Sequence, residues 1–362
     1  MTLDTANYYN LSAGPAIMPQ TVLERAREEM LSPGSSVMEI SHRSDRFLAI
    51  LDAAESGIRE LLGVPRGYQI LFLQGGASLQ FAMIPMNFLV SNRTADYVVT
   101  GAWGTKALAQ GKSFGEAREI FSTAETGFRS IPRQAELNFG PSTSYAHYTS
   151  NETIDGVEFK YDLEGDATPV ICDASSNILS KPINIEKYAL LYAGAQKNIG
   201  PSGVTLVIIR DDMIAAVPAG LSPMLSYRSI AENRSMYNTP NTWGIYLISL
   251  VCEWLREQGG LPSMKSKNER KAAVVYDAID QSDGFYRGHA EQGARSMMNV
   301  TFRLESQDLE TGFVKEAEAA GFHGLQGHRS VGGIRASIYN AFPHEGCVAL
   351  AGFMQYFAQK NG

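Results

Sequence analysis

Hydrophobic and polar positions in the first two thirds of the chain alternate between helical and strand-like spacing. Within residues 46–62, apolar side chains recur on one face and predict an amphipathic helix: Phe47, Ile50, Leu51, Ala54, Ile58, Leu61 and Leu62. Short apolar runs typical of buried strands follow at 69–73, 97–100, 144–148, 169–172, 189–193 and 204–209. An apolar helix is expected near Ser78, and crossover helices could occupy several of the intervals. This alternation favours an α/β unit with a largely parallel sheet.

The pattern changes after residue 257, where a polar stretch with glycine and proline indicates a domain boundary. The spacing beyond it predicts a helix at 266–281, a strand at 296–303, a helix at 308–320, a strand at 333–339 and a helix at 345–359. These elements predict a smaller α+β unit. Near the N-terminus, the loop-like segment NLSAGPAIM is expected to run over another element.

Composition narrows the classes of function that the chain can have. A net charge of -7 argues against non-specific binding to nucleic acid or membranes, so an anion site must be a local cluster of basic residues. Three cysteines without zinc-site spacing argue against a disulfide framework and a metal site, and they favour a reducing compartment. The N-terminus lacks the pattern of a signal peptide, and no apolar stretch approaches the ~18–20 residues of a membrane span. The cytoplasm is therefore the expected location.

Lys197 follows a predicted buried strand within YAGAQKNIGPSG, residues 192–203. Burial at such a position lowers the pKa of an amine, and a neutral amine can form a Schiff base with an aldehyde. The alternative interpretation is an ordinary surface lysine in a loop, because lysines are mostly exposed.

Asp173 lies just past another predicted buried strand, within VICDASSN. Ligands of open α/β sheets bind at the carboxyl ends of the strands. A carboxylate fixed there can keep the nitrogen of a pyridine-containing cofactor protonated. Without such a cofactor, Asp173 would be a turn or helix-capping residue.

Two glycine-containing turns are further candidates for ligand contacts. Gly75 and Gly76 separate a strand from a helix in LQGGASLQ, where backbone N–H groups can hold an anion. The stretch is neither a P-loop nor a nicotinamide-binding pattern. Trp103 lies between glycines in GAWGTK, where its ring could stack on a flat cofactor, although a core or interface role is the common one.

Several longer stretches, in order along nearly the whole chain, resemble one known family. They are NLSAGPAIMP, SSVMEISHRS (35–44), LFLQGGASLQF (71–81), TADYVVTGAWG (94–104), NETIDGVEF (151–159), YAGAQKNIGPSG (192–203), MYNTPNTW (236–243) and GHRSVGGIRASIYNA (327–341). The family is that of the phosphoserine aminotransferases, class V aminotransferases with the type I fold of pyridoxal 5′-phosphate (PLP) enzymes. The resemblance implies an α/β large domain, residues 16–257, with a mainly parallel seven-stranded sheet flanked by helices. Residues 1–15 and 258–362 would form the smaller α+β domain.

The resemblance also implies roles for individual residues. Lys197 matches the catalytic Schiff-base lysine. Matching cofactor-binding positions are Ala77, Ser78, Trp103, Thr153, Asp173, Ser175, Gln196, Asn238 and Thr239. Asn238 and Thr239 would reach the phosphate from a neighbouring subunit, which implies a homodimer with active sites at the interface. Some members have Gly-Arg where this chain has Ala77-Ser78, so a charge at that position is absent here.

The family's reaction implies two doubly acidic substrates, L-glutamate and 3-phosphohydroxypyruvate, with 2-oxoglutarate and O-phospho-L-serine as products. Arg335 would bind the α-carboxylate, because the planar guanidinium suits carboxylate recognition. The second acidic group would be held by His42, Arg43, His328 and Arg329. The alternative is that these are scattered surface charges.

Other functions remain possible from the sequence. A cysteine desulfurase of the same fold would need a reactive cysteine, and Cys172, Cys252 and Cys347 all lie in or near predicted elements. A transaminase for another small acid, such as a serine–glyoxylate type, is a nearer alternative. A non-catalytic binding protein is disfavoured because Lys197 and Asp173 are both present. A phosphorylated four-carbon acid of vitamin B6 synthesis is a plausible second substrate.

Overall fold

The computed structural model describes residues 8–31, 35–329 and 331–362. The α-helices are α1 (Gln20–Met30), α2 (Asp45–Leu62), α3 (Gly76–Phe88), α4 (Ala102–Lys112), α5 (Asp211–Ala216), α6 (Tyr227–Glu232), α7 (Thr242–Glu257), α8 (Gly260–Asp280), α9 (Gln307–Ala319) and α10 (His344–Asn361). Short 3-10 helices span Ala124–Thr126, Gln134–Glu136, Ile185–Lys187, Pro223–Leu225 and Gln292–Ala294. In this part of the chain, no helix is both long enough and apolar enough to span a membrane.

The strands form one large sheet and several small ones. They are β1 (Tyr9–Asn10), β2 (Tyr68–Leu73), β3 (Thr94–Val99), β4 (Ala117–Ser122), β5 (Thr143–Thr149), β6 (Asn151–Glu152), β7 (Val157–Glu158), β8 (Val170–Asp173), β9 (Leu190–Gly194), β10 (Thr205–Arg210), β11 (Arg287–Gly288), β12 (Asn299–Arg303), β13 (Phe322–His323) and β14 (Ile334–Ser337). The large sheet has seven strands in the order β2-β10-β9-β8-β5-β3-β4. Only β10 runs antiparallel to its neighbours, which confirms the mainly parallel seven-stranded sheet.

Strand β4 was not among the strands predicted from the sequence. It lies at the edge of the sheet and pairs with β3 alone. Ala117 is its single buried residue, so the strand shows no apolar run. Helices α3 and α4 are crossover helices of the expected kind, whereas a β6–β7 hairpin and a 3-10 helix occupy the intervals before β8 and β9.

Helix α2 shows why the predicted helical face was right. The Ser44 side chain caps its first turn by accepting a hydrogen bond from Phe47 N at 3.3 Å, and Gly63 ends it in the left-handed conformation. The face that carries Phe47, Leu51 and Ile58 is fully buried and belongs to the core beneath the sheet. Helix α2 packs there against α7.

The packing of α2 on α7 depends on a glycine, Gly57. A Cβ atom added to Gly57 would lie 2.6 Å from Cys252 Cβ, too close for two carbon atoms. We expect Gly57→Ala to lower the free energy of unfolding by about 1–3 kcal/mol through overpacking. Gly312→Ala in α9 is the control, because nothing lies within 4 Å of its added Cβ and a gain of up to about 1 kcal/mol is expected. Thermal denaturation of both variants measures the effect, and equal melting temperatures would contradict this interpretation.

The C-terminal third contains the predicted α+β elements around a core of its own. Strands β11, β12 and β14 form an antiparallel sheet, and the core includes side chains from α8, α9 and α10. The predicted start of the first helix was wrong, because α8 begins at Gly260 within the polar stretch. Gly259, with φ of 91°, turns the chain after α7, and Pro262 lies in the first turn of α8, where its missing N–H costs little. The predicted domain boundary between residues 257 and 258 coincides with this turn, but the division into two domains stays a prediction.

The N-terminal segment runs across both parts of the molecule, as expected from its loop-like sequence. Strand β1 pairs in parallel with β13 of the C-terminal part. Ala16 N then donates to Gln196 O at 2.9 Å, beside Lys197. Residues 1–7 of the expected N-terminal arm lie outside the described residues.

Candidate active site

The sequence-predicted residues converge at one edge of the large sheet, where its parallel strands end. Asp173 is the last residue of β8, and Lys197 follows the end of β9. Gly101 and Trp103 follow β3, and Gly75 follows β2. The carboxyl edge of an open α/β sheet is where ligands bind, so the fold alone gathers these residues around one crevice.

The Lys197 amine lies inside this crevice. Its Nζ donates to Thr153 Oγ1 at 2.6 Å and lies 5.3 Å from the centroid of the Trp103 ring. The lysine is half-buried, but desolvation around the amine lowers its pKa to about 8. The charge of Asp173 partly opposes this shift. Lys197 is therefore not an ordinary surface lysine, and about a tenth of its amine is neutral and nucleophilic near pH 7, far more than in an exposed lysine.

Asp173 is 4% exposed and held in one orientation by Ser175. Its Oδ1 accepts hydrogen bonds from Ser175 N at 2.9 Å and from Ser175 Oγ at 2.5 Å. Burial raises the pKa of Asp173, while the charge of Lys197 and the bonds from Ser175 lower it. Gly194 N donates to Ser175 Oγ at 3.0 Å, so Ser175 ties Asp173 to the end of β9. Ser175 therefore holds the Asp173 carboxylate in position.

Trp103 lies in the first turn of α4, and its ring is close to two amines. The amine of Lys106 lies 4.2 Å from the ring centroid, and the amine of Lys197 lies 5.3 Å from it. The indole Nε1 is buried without a hydrogen-bond partner. The backbone N–H of Trp103 donates to Glu152 Oε2 at 2.9 Å. Sequence reasoning missed Glu152 and Lys106, although both lie in stretches that had been singled out for other residues.

The amino end of α3 offers backbone donors as the sequence suggested. Gly75 and Gly76 adopt φ values of 89° and 68°, which the absence of a Cβ permits. Gly75 supplies no capping side chain, and the first turn includes Ala77 and Ser78. Uncapped amides and the positive end of the helix dipole favour an anion here. Ser78 is exposed, and the half-buried Gln196 lies beside Gly194 in the lysine loop.

The cationic residues of the C-terminal part surround the same crevice. Arg335 lies in β14, and its Nε is buried without a hydrogen-bond partner. Burial lowers the pKa of Arg335, and its charge in turn lowers the pKa of Lys197. The pKa of His328 is lowered by burial and then by the charges of Arg335, Lys106 and Arg329. These residues form a local basic cluster in an acidic protein.

A buried amide network fastens the lysine loop to the C-terminal part. Asn340 N donates to Asn198 Oδ1 at 3.0 Å, next to Lys197. Asn268 Nδ2 donates to Asn340 Oδ1 at 2.8 Å, and Lys271 Nζ donates to Tyr339 O at 2.6 Å. The segment that carries Arg335 is thereby held in register with the segment that carries Lys197.

Four predicted residues make no described contact with Lys197 within the single chain. His42 and Arg43 precede α2, and among the described residues their side chains make no ion pair. Asn238 and Thr239 are exposed, and Thr239 O accepts a hydrogen bond from Gln74 Nε2 at 3.2 Å. They stay predictions as ligand-binding residues.

The crevice suits an aromatic aldehyde that has a pyridine nitrogen and a phosphate. Lys197 offers an amine with a lowered pKa, and Asp173 offers a fixed carboxylate close enough to influence that amine. The Trp103 ring offers a flat surface beside the amine, and the amino end of α3 offers anion donors. In the described parts of the chain, no group of three or more histidine, cysteine, aspartate or glutamate side chains could hold a metal ion.

Comparisons with known proteins agree with this chemistry. A family model described as aminotransferase class V matches residues 8–350. The phosphoserine aminotransferase of Geobacillus kaustophilus is 51% identical over 97% of this chain and 98% of its own length. The solved phosphoserine aminotransferase of Bacillus circulans subsp. alkalophilus has a TM-score of 0.97 at 49% identity, covering 98% of this chain and 99% of its own. A PLP-bound phosphoserine aminotransferase from Trichomonas vaginalis has a TM-score of 0.90 at 38% identity, covering 96% and 99%.

Proposed function

The chain belongs to the class V aminotransferase family, and on this basis we propose that it transfers the amino group of L-glutamate to 3-phosphohydroxypyruvate. The products are 2-oxoglutarate and O-phospho-L-serine, an amino-acid precursor of serine. The observation that carries the proposal is the Lys197 amine, which lies beside Trp103 with its pKa lowered to about 8 and with Arg335 nearby. The names of the relatives that match nearly the whole chain support the choice of substrates.

We propose that PLP is the cofactor and that the residues at the sheet edge hold it. Bound PLP supplies an aldehyde for an amine and a ring that withdraws electrons from the substrate Cα. Asp173 would face the pyridine nitrogen, Trp103 would stack on the ring, and Thr153 would lie beside its substituents. The phosphate would be held by Gln196 and by the Ala77-Ser78 backbone. Ser175 would act through Asp173, whose Oδ1 it contacts.

In the proposed reaction the Lys197 amine is the base that transfers the proton of the substrate Cα. Lys197 Nζ would take the proton from the Cα of glutamate and pass it to the cofactor carbon that keeps the amino group. In the second half-reaction it would move a proton in the opposite direction, onto the Cα of the new amino acid. A base works best when its pKa is near the working pH, and burial gives Lys197 a pKa of about 8. Thr153 Oγ1, at 2.6 Å from Nζ, keeps the amine at the edge of the crevice during both steps.

Substrate recognition requires cations for two acidic groups. Arg335 would bind the α-carboxylate that both substrates share, because its buried Nε has no partner in the protein. His328 and Arg329 would hold the phosphate or side-chain carboxylate. We further propose a homodimer in which His42, Arg43, Asn238 and Thr239 complete the site of the neighbouring subunit. This arrangement gives a role to residues that the single chain leaves away from Lys197.

The cysteines make a desulfurase an inferior alternative. Cys172, Cys252 and Cys347 are free thiols and are all buried. Burial raises the pKa of each thiol to about 12, which opposes formation of the thiolate nucleophile. Three free thiols also suit a reducing compartment, and we propose the cytoplasm as the location.

Absorption spectra of the purified protein test cofactor, lysine and amino donor together. We expect a visible band from bound PLP that disappears when L-glutamate is added and returns when 3-phosphohydroxypyruvate follows. Keto acids with a single acidic group, such as glyoxylate, should restore the band at least about tenfold more slowly, because they lack the second charge-assisted contact. A band that glyoxylate restores faster would favour a transaminase for another small acid. The phosphorylated four-carbon acid of vitamin B6 synthesis can be assayed in the same way.

A further inference from the structure

Helix α4 begins without a capping side chain of its own. Its N-cap residue is Gly101, which has no side chain to accept a hydrogen bond from the first turn. The first N–H groups of a helix need acceptors from elsewhere when they are buried. This need matters for α4 because Trp103 lies in its first turn.

Two carboxylates that are distant in sequence supply the missing acceptors. Glu152 Oε2 accepts from Trp103 N at 2.9 Å, and Glu152 Oε1 accepts from Gly104 N at 2.7 Å. Asp155 Oδ2 accepts from Ala102 N at 3.0 Å. The approach leaves no room at residue 101, because a Cβ on Gly101 would lie 2.4 Å from Glu152 Cγ.

Capping α4 with this pair of carboxylates costs free energy, because both charged groups must be removed from water. Glu152 is 0% exposed and Asp155 is 6% exposed, and in the described residues neither forms an ion pair. Burial raises the pKa of Glu152 to about 8, with a further increase from Asp155, whereas the bonds from Gly104 N and Trp103 N oppose this shift by stabilising the carboxylate. A serine or asparagine at the N-cap would satisfy the helix locally without buried charges.

The two capping residues also lie next to a residue that contacts the Lys197 amine. Glu152 and Asp155 flank Thr153, whose Oγ1 contacts the Lys197 amine. The same turn therefore fixes the hydroxyl beside the amine and the backbone of the aromatic residue beside it. The charge of Glu152 also raises the pKa of Lys197, against the larger effect of desolvation.

We propose that Glu152, supported by Asp155, is a positioning residue that sets the Trp103 ring and Thr153 in register around Lys197. Glu152 makes both of its carboxylate contacts to the turn of α4 that carries Trp103, so its effect reaches the cofactor through the indole ring. This inference rests on the proposed function, because it assigns the ring a cofactor to stack on.

The test uses Trp103 as its own reporter. The chain has three tryptophans, and replacing Trp243 and Trp254 by phenylalanine leaves Trp103 as the single one. In this background, Glu152→Gln retains the size of the side chain but turns one acceptor into a donor that faces a backbone N–H. We expect acrylamide quenching of Trp103 in the apoenzyme to increase. We also expect the Kd for PLP to rise at least about tenfold, while KM for glutamate changes little.

Glu158→Gln is the matched control, because Glu158 is a buried carboxylate on the same β6–β7 hairpin. Its carboxylate pairs with Lys181 at 2.7 Å and accepts from Met297 N, away from α4. We expect lower thermal stability from this variant with unchanged quenching and Kd. Equal changes in the two variants would show general loosening of the hairpin and would overturn the proposal.

Two further outcomes are distinguishable. A reference protein with Glu152 intact that binds no PLP would refute the proposed function, whereas PLP binding and quenching unaffected by Glu152→Gln would refute the positioning role alone. If Glu152→Gln does not fold, Asp155→Asn decides the matter, because it alters only the acceptor for Ala102 N. A smaller increase in quenching is then expected, and no increase overturns the proposal.

Discussion

Replacing Lys197 by alanine is expected to lower the rate of transamination by on the order of 10⁴-fold or more. The substitution removes the amine that binds the cofactor covalently and the base that moves the Cα proton. No described neighbour can replace it, because Thr153 is neutral and the charge of Lys106 lies over the Trp103 ring. Steady-state assays with glutamate and 3-phosphohydroxypyruvate measure the loss of rate. A rate equal to that of the parent would show that Lys197 is not the catalytic amine.

Lys271 provides the control for the effect of burial on a lysine. It is 2% exposed and its pKa is also lowered to about 8 by burial, but its Nζ donates to Ile338 O, Tyr339 O and Phe342 O. Borohydride reduction of the PLP-loaded protein should therefore label Lys197 and leave Lys271 unlabelled. Lys271→Met is expected to lose stability because it leaves buried carbonyls unsatisfied. At a temperature where it is folded, its loss of rate should be small beside that of Lys197→Ala, because Lys271 supplies no reacting group. Labelling of Lys271 would show that burial alone explains the reactivity.

Most of the fold could be predicted because buried strands and amphipathic helices leave regular apolar patterns. Strands β8 and β9 are fully buried and appear in the sequence as continuous apolar runs. Edge strand β4 could not be predicted in this way, since only Ala117 is buried and the exposed Arg118 and Glu119 interrupt its apolar residues, while β3 supplies its hydrogen bonds. The start of α8 was also hidden, because its first turns contain glycine, proline and polar residues that are typical of loops.

The site shows a similar limit for polar residues. Lys197 and Asp173 could be found because each lies within a few residues of the end of an apolar run, where a charged side chain is conspicuous. Glu152 and Asp155 could not, because their partners in α4 lie about fifty residues away in sequence and only the paired strands β3 and β5 bring them together. Resemblance identified Ser175 as a cofactor contact, which stays a prediction, and the structure adds that its hydroxyl and backbone N–H both donate to Asp173 Oδ1.

Replacing Arg335 by alanine is expected to raise KM for both substrates and to lower kcat/KM by on the order of 10²-fold or more. Arg335 is the shared ligand in the proposal, because both substrates have an α-carboxylate. A bidentate contact between a guanidinium and a carboxylate in a partly buried site is worth about 2–5 kcal/mol when one partner is truncated, and each 1.4 kcal/mol corresponds to about tenfold. Its buried Nε has no protein partner, so the donor is available for a ligand.

Two variants separate recognition by Arg335 from effects of charge and packing. Arg335→Lys keeps the charge but loses the planar fork, so an intermediate rise in KM is expected. Arg303 and Arg335 line one cavity, and Arg303→Ala removes a second guanidinium from its wall. The Arg303 guanidinium is bound to Glu310 Oε1 at 2.6 Å and to Val331 O at 2.8 Å. Its substitution is expected to lower stability and leave KM unchanged, because those donors are already used within the protein. If Arg335→Ala leaves the kinetics with both substrates unchanged, the α-carboxylate is bound elsewhere, whereas a rise for one substrate alone would assign Arg335 to that substrate's distal acidic group.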